Sequence, residues 1–271
     1  MKDSTYFQYP FNMSEISHEY GENVHLISDP LLMSWLTQLS SPKTQQPAIT
    51  HLVRELYASL LRTVIARETP RVAVKEDTRM VSVTPKGVWQ GEVLDPNTRY
   101  VTVDIARAGT LPSQIAFELL NTVVNPEGVR QDHLYMNRAT NEAGEVCGIN
   151  HTGSKIGGDI DKAVVLFPDP MGATGASMSD ALKIYKKLPD GKPAKLITVH
   201  LIITPEYIRT IQTDHPDTVI YALRLDRGMS SEEILGTRPG THPEQESGLN
   251  DVQYIVPGAG GVGEILNNSF V

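Results

Sequence analysis

From residue 100 onward, short apolar and β-branched runs alternate with stretches whose apolar positions recur every three or four residues. Residues 100–105, 163–167, 195–203 and 219–225 read as mainly apolar strands, the run 163–167 with no polar side at all, and 133–136 as a shorter one. Residues 112–124, 177–188 and 205–213 read as the helices between them. A strand with no polar side has to be covered on both faces, so this alternation predicts an α/β fold, a mostly parallel sheet between helical layers. In such sheets ligands bind beyond the carboxyl ends of the strands.

Ahead of this region, Asp29 is placed to cap a helix over residues 30–38. Ile49, Leu52, Val53, Leu56, Leu60, Leu61, Val64 and Ile65 form one apolar stripe of a longer helix. Residues 70–98 hold short alternating pieces, at 71–74 and 80–84, separated by turn signals. The predicted organisation is an N-terminal arm (1–27) and one domain (28–271) interrupted by a loop at about 228–249. The acids of that loop, Glu232, Glu233, Glu244 and Glu246, read as a solvated face.

Charge narrows the partners. With 24 Lys+Arg against 32 Asp+Glu the formal charge is −8, and no basic cluster offers the face that nucleic-acid binding uses. A single cysteine, Cys147, excludes an internal disulfide and a zinc site built on several thiolates. The apolar runs are too short for a membrane span, which takes about 20 residues, and the N-terminus has no signal-peptide pattern. These features predict a cytoplasmic protein with neither nucleic acid nor membrane as partner. An acidic protein can still hold a polyanion through a helix N-terminus, paired arginines or a divalent metal.

One segment has the makings of such a device. The apolar run ending at Phe167 is followed by Pro168, Asp169, Pro170, Met171, Gly172, Ala173, Thr174, Gly175, Ala176 and Ser177, where the next helix opens. Small residues let backbone N–H groups approach an anion, the helix N-terminus adds partial positive charge, and Thr174 and Ser177 add hydroxyl donors. An acid at the strand end suits ribose hydroxyls or a metal bound to them. The loop lacks the lysine of a Walker motif and the spacing of a dinucleotide fingerprint. Taken alone, it is as consistent with an ordinary strand–turn–helix connection.

The full string Asp-Pro-Met-x-Ala-Thr-Gly-x-Ser (169–177) resembles the 5-phosphoribosyl-1-diphosphate (PRPP) loop of uracil phosphoribosyltransferases. Gly248-Leu249-Asn250-Asp251 followed by Tyr254-Ile255-Val256-Pro257-Gly258-x-Gly260 is similar to that family's uracil-binding segment. Asp104 to Gly109 looks like its arginine element and Asn137-Arg138 like its second arginine. The resemblance spans about residues 28–270 and implies a type I phosphoribosyltransferase fold. In that fold a mostly parallel sheet of about five strands carries a hood built partly from the C-terminal segment.

It further implies that PRPP and uracil react to give uridine monophosphate (UMP) and diphosphate, with Mg2+ bound through PRPP. Arg107 and Arg138 would hold the diphosphate, and Asp169 would meet the ribose hydroxyls. Pro170 to Ser177 would complete the PRPP site, with Gly172 to Ser177 cradling the 5′-phosphate. Ile255, Gly260, Gly261 and Val262 would face the pyrimidine edge, with Met171 and Ala173 lining its face. A homodimer or homotetramer, with GTP as an activator, is implied in the same way.

The chain departs from the family at several points. The tail of the family reads Gly-Asp-x-Gly-Asp, whereas here Gly260-Gly261-Val262-Gly263-Glu264 puts Gly261 where an acid stands; Glu264, one turn on, is a candidate substitute. Ala176 replaces a glycine, Pro112 enters the arginine element, and the acidic run after Arg138 is missing. Two other readings therefore stand beside transfer to uracil: a PRPP-binding regulatory relative with reduced turnover, and transfer to another pyrimidine. Restoring the acid as Gly261→Asp is expected to raise a weak activity.

Overall fold

The computed structural model describes residues 3–140 and 146–269, with side chains for all of these except 137–140 and 146–151. The elements run β1 (Val24–Leu26), α1 (Pro30–Leu39), α2 (Ala48–Glu68), β2 (Arg71–Asp77), β3 (Val88–Leu94), β4 (Tyr100–Ala106) and α3 (Thr110–Leu120). They continue with β5 (Val129–Thr140), β6 (Val146–Lys155), β7 (Val164–Pro168), β8 (Met171–Gly172), α4 (Ala176–Lys186), β9 (Lys195–Ile203) and α5 (Pro205–Asp214). The chain closes with β10 (Val219–Leu225), α6 (Glu232–Leu235) and α7 (Val262–Leu266).

The central sheet has the order β1-β10-β9-β7-β4-β5-β6, with β8 added beside β9. Every pairing is parallel except the β5–β6 hairpin. The sheet thus has eight strands where about five were expected. Two additions come from segments with no strand pattern. β6 follows a polar, glycine-containing stretch, and β1 is three residues of the supposed arm paired in parallel with Ile220–Ala222 of β10. The boundary between arm and domain accordingly lies before residue 24. Residues 71–94 form a separate antiparallel ribbon, β2–β3, and the piece expected at 80–84 is instead part of a short 3-10 turn, Arg79–Ser82.

Alternation along the strands divides the interior in two. On one face Val164 and Leu166 of β7 and Ile197, Val199 and Leu201 of β9 meet α1, α2 and α3. On the other, Val165 and Phe167 meet α4 and α5. The α2 stripe predicted from spacing is buried throughout, with Leu56, Leu60 and Leu61 fully so, each contributing about 1.5–3 kcal/mol. α3 begins at Thr110 rather than at Pro112; the proline occupies the first turn, where its missing N–H has no intrahelical role.

Of the four acids in the 228–249 segment Glu232, Glu233 and Glu244 are exposed, as expected, but Glu246 is not. Glu246 is 1% exposed, accepts the Gly240 N–H at 2.7 Å and the Tyr20 hydroxyl, and lies 3.2 Å from Arg227. Glu19 N–H donates to Pro239 O, and Arg238 pairs with Glu19. The insertion is a clip that binds the N-terminal arm to the body. Among the described residues no helix is long and apolar enough to cross a membrane.

Candidate functional site

Three segments meet beyond the carboxyl ends of β4 and β7: the turn after β7, the Arg107 turn after β4, and the C-terminal ribbon. The turn after β7 is held by its carbonyls. Gly172 O accepts from Thr204 N–H (3.1 Å), Ala173 O from Thr204 Oγ1 (2.6 Å) and Thr174 O from Thr210 Oγ1 (2.7 Å). Because C=O and the following N–H point oppositely across a trans peptide, the N–H groups of Ala173, Thr174 and Gly175 face away from α5. Among the described residues these three N–H groups donate to no protein acceptor. Gly175 caps α4 with φ +82 and no side chain of its own; Thr174 Oγ1 accepts the Ala176 N–H at 3.3 Å, and the N–H groups of Ser177 and Met178 have no protein acceptor among the described residues, so the positive end stays partly open. A Cβ on Gly175 would lie 2.9 Å from Thr210 Cβ, and one on Gly172 2.8 Å from the Tyr207 ring, so both positions require glycine. Ala176 sits at the first helical position without positive φ, which is why alanine is tolerated there.

Asp169 begins this turn and is half-buried. Its Oδ1 accepts the Met171 N–H (3.1 Å), while His200 Nδ1 donates to its carbonyl oxygen (2.6 Å). Burial pushes the Asp169 carboxyl up to about 6, the Met171 N–H opposes the shift, and the charge of Asp104 adds to it. Burial lowers His200 to about 3, so it stays neutral, with Nε2 accepting from the Tyr207 hydroxyl at 2.7 Å. His200 is therefore a strut beneath Asp169.

Asp104, at the end of β4, is 3% exposed; it accepts from Thr110 Oγ1 (3.0 Å) and contacts His133 Nδ1 (2.9 Å). Arg107 follows through a cis peptide after Ala106 and is exposed. Its Nη1 donates to Ser269 Oγ (2.6 Å) and its Nη2 lies 3.6 Å from Glu264 Oε1. A Cβ built on Gly261 would be 2.4 Å from Glu264 Oε2. The carboxylate of Glu264 thus occupies the space a side chain at 261 would enter. Arg138 lies on β5 opposite Ile149; its side chain, like that of Cys147, lies outside the described residues.

The ribbon is brought in from the far end of the chain. Ile255, Ala259 and Val262 are buried in the cluster against which Met171 and Ala173 pack, so ribbon and turn share one patch. Gly263 lies within 3.2 Å (Cβ built) of Ala108 Cβ, and Gln46 Nε2 donates to Leu266 O (3.1 Å) at the end of α7. Val262 N–H donates to Gly260 O at 3.0 Å around Gly261, an inverse γ-turn. This leaves a donor and an acceptor side by side, engaged only with each other, which a flat ligand carrying the complementary pair can exchange for its own.

Arg107, Asp169, Met171 to Ala176, and Ile255 to Val262 thus lie on these three segments, with Arg107 tied to the ribbon through Glu264 and Met171 and Ala173 packed on the cluster that holds Ile255 and Val262. Spacing did not reveal Asp226 and Arg224, which hold the ribbon, or Thr204 and Thr210, which bind the carbonyls of the turn after β7; an acid directly after β10, as Asp169 follows β7, was the one available signal for Asp226. A cavity of about 880 Å3 lies elsewhere, at the amino ends of β1, β9 and β10 among residues such as His25, Arg67 and Lys195. Among the described residues no group of three or more His, Cys, Asp or Glu side chains is arranged to hold a metal ion.

The profile of the uracil phosphoribosyltransferase family matches residues 26–241. Relatives named uracil phosphoribosyltransferase from Dictyoglomus turgidum and Dictyoglomus thermophilum are 29% and 30% identical over 244 residues, covering 90% of this chain and 98% of theirs. The solved structure of the AQ2163 protein from Aquifex aeolicus superposes with a TM-score of 0.67 at 21% identity, covering 90% of this chain and 97% of that one.

Proposed function

The chain belongs to the uracil phosphoribosyltransferase family and has the type I phosphoribosyltransferase fold, and from that premise we propose that it transfers the 5-phosphoribosyl group of PRPP to uracil, giving UMP and diphosphate. The observation that carries this reading is the orientation of the turn after β7, whose three tied carbonyls leave three N–H groups without a protein acceptor next to the α4 N-terminus, an arrangement suited to an anion.

In this reaction the bond from C1′ to the diphosphate oxygen breaks, N1 of uracil bonds to C1′, and the N1 proton is released. The ribose carries positive charge at the transition state and the leaving group negative charge. Arg107 and Arg138 stabilise the leaving diphosphate; charged Asp169 accepts from the ribose hydroxyls and tolerates the developing cation. The donor–acceptor pair at Val262 and Gly260 reads one polar edge of the base, and Met171 and Ala173 cover its face. No nucleophilic side chain is needed, because holding the two substrates in line supplies most of the rate.

Magnesium belongs to the proposal. Asp104 is engaged by Thr110 and His133, so among the described residues Asp169 and Glu264 are the carboxylates the site offers, and an ion would be held mainly by PRPP oxygens. When bound it supplies charge neutralisation on the diphosphate.

The regulatory alternative rested on Gly261. The placement of Glu264 argues for turnover, since a carboxylate is supplied to that space from one turn later, beside Arg107. The test is UMP formation from PRPP, uracil and Mg2+, with a panel of pyrimidines to separate the bases. Absence of product from every base while PRPP still binds would overturn the assignment. Light scattering and added GTP in the same assay test the oligomer and the activator carried over with the family.

A further inference from the structure

Where β10 ends, a charged pair holds both ends of a single residue of the ribbon. Arg224 bonds Asp226 in a two-point contact, Nε to Oδ1 at 2.6 Å and Nη2 to Oδ2 at 2.9 Å. Asp226 Oδ2 accepts the Gly258 N–H at 2.7 Å, and Arg224 Nη2 donates to Gly258 O at 3.0 Å. The pair is shielded from water, with side-chain exposures of 19% and 2%. Asp226 is itself fixed by its N–H on Ile203 O, so the clamp stands on the end of β9. Gly258 has φ +63, and an added Cβ would lie 2.2 Å from Ile255 O, so no other residue enters that position without moving the ribbon.

Fixing N–H and C=O of one residue fixes the planes of both flanking peptides, and with them the height and direction of Ala259, Gly260 and Gly261 that follow. Charge-assisted bonds at both ends, in a site largely closed to water, make that setting stiff. We propose that Arg224 and Asp226 are positioning residues for the base, touching neither substrate and acting through Gly258 on the Gly260–Val262 pair. This rests on the reading of the ribbon as the base site and adds to it which groups fix its geometry.

The test uses Asp226→Asn, which keeps size and one acceptor, and Arg224→Met, which keeps much of the bulk. Both are expected to raise the KM for uracil at least tenfold while the KM for PRPP changes less than threefold and kcat at saturating uracil is mostly retained. Arg224→Lys, with a single point of contact, is expected to fall between Arg224→Met and the parent. Equal rises in both KM values, or an unchanged uracil KM, overturn the proposal.

A second measurement needs no substrate. In both variants the amides of Gly258 and Val262 are expected to exchange hydrogen at least tenfold faster while the hydrogen-bonded amides of 179–182 in α4 stay as in the parent. If the parent makes no UMP but the exchange splits in this way, the clamp stands and the uracil assignment fails. If exchange is unchanged, or rises equally in both segments, the clamp fails whatever the base.

Discussion

Asp169 is a carboxylate held where charge is disfavoured, and the proposed reaction uses it charged, so stability and the proposed function are coupled at this residue. Its pKa is raised to about 6, so the folded state binds the proton more tightly than the unfolded state does. The favourable contribution is fully present below the ordinary carboxylate value and is lost as pH rises through about 6. Asp169→Asn removes the penalty and is expected to stabilise the protein at pH 8 by about 1–3 kcal/mol, with the gain vanishing toward pH 4. Thermal melts at the two pH values check this, and an equal gain at both refutes it. PRPP binding favours the charged form, so affinity is expected to climb through about pH 6 and level off. The phosphates of PRPP titrate there too, at about 6. The informative comparison is therefore Asp104→Asn, which removes a neighbouring charge and should move the calorimetric inflection to lower pH with the ligand unchanged. The glycine at 261 carries a second prediction, opposite to the one drawn from sequence. An aspartate there would meet the Glu264 carboxylate, so Gly261→Asp alone is expected to bring no gain in kcat/KM. Glu264→Gln should lose about tenfold or more, and adding Gly261→Asp to it should recover part of the loss. A gain from Gly261→Asp by itself would show that Glu264 does not fill the place.

At the level of elements, the clip formed by the insertion stakes a buried carboxylate on three partners. Removing Glu246 leaves Arg227, itself only 11% exposed, without its counter-charge, together with the Tyr20 hydroxyl and the Gly240 N–H. Glu246→Ala is expected to cost about 3–5 kcal/mol and to open residues 1–23 to protease, whereas Glu244→Ala on the exposed side should change little. Comparable melting temperatures for the two variants would remove the clip. The same element shows where the sequence could and could not be read. β9 and β10 were legible to the residue because each is a mainly apolar, β-branched-rich run with turn-forming flanks. The turn after β7 was legible because its glycines and the helix that follows are local signals. Glu246 was not, since a glutamate among Pro, Gln and Ser has no local signal of burial and its partners lie in residues 20, 227 and 240. β6 and β1 were missed for the same reason, being strands by virtue of the neighbour they pair with. The Arg224–Asp226 clamp joins residues more than thirty positions apart, which spacing alone does not show.

The whole molecule is one sheet with a core on each face, and that sharing has a consequence for how it comes apart. Strands such as β7 and β9 contribute alternate residues to both cores, so neither helical layer can be lost without exposing the sheet to the other. These parts should unfold together. The β2–β3 ribbon touches this arrangement mainly through Leu94: among the described residues it pairs only with itself, and β2 has no fully buried residue. Two strands alone are marginal in water. What holds them is the arm, through the tilted Tyr6–Trp89 pair at 6.3 Å, Glu92 N–H on Tyr6 O at 2.8 Å, and Arg71 over the Tyr9 ring. The two tryptophans fall one on each side of this division, Trp35 on α1 against the core and Trp89 on the ribbon. In Trp35→Phe, emission from Trp89 is expected to change at lower urea than the far-ultraviolet circular dichroism. In Trp89→Phe, emission from Trp35 should follow the dichroism. Deleting residues 3–12 should shift the Trp89 transition further while leaving the Trp35 transition in place. Coincident transitions in both single-tryptophan proteins would show that the ribbon is part of the same cooperative unit as the sheet, and that the arm contributes to the stability of the whole rather than to the ribbon alone.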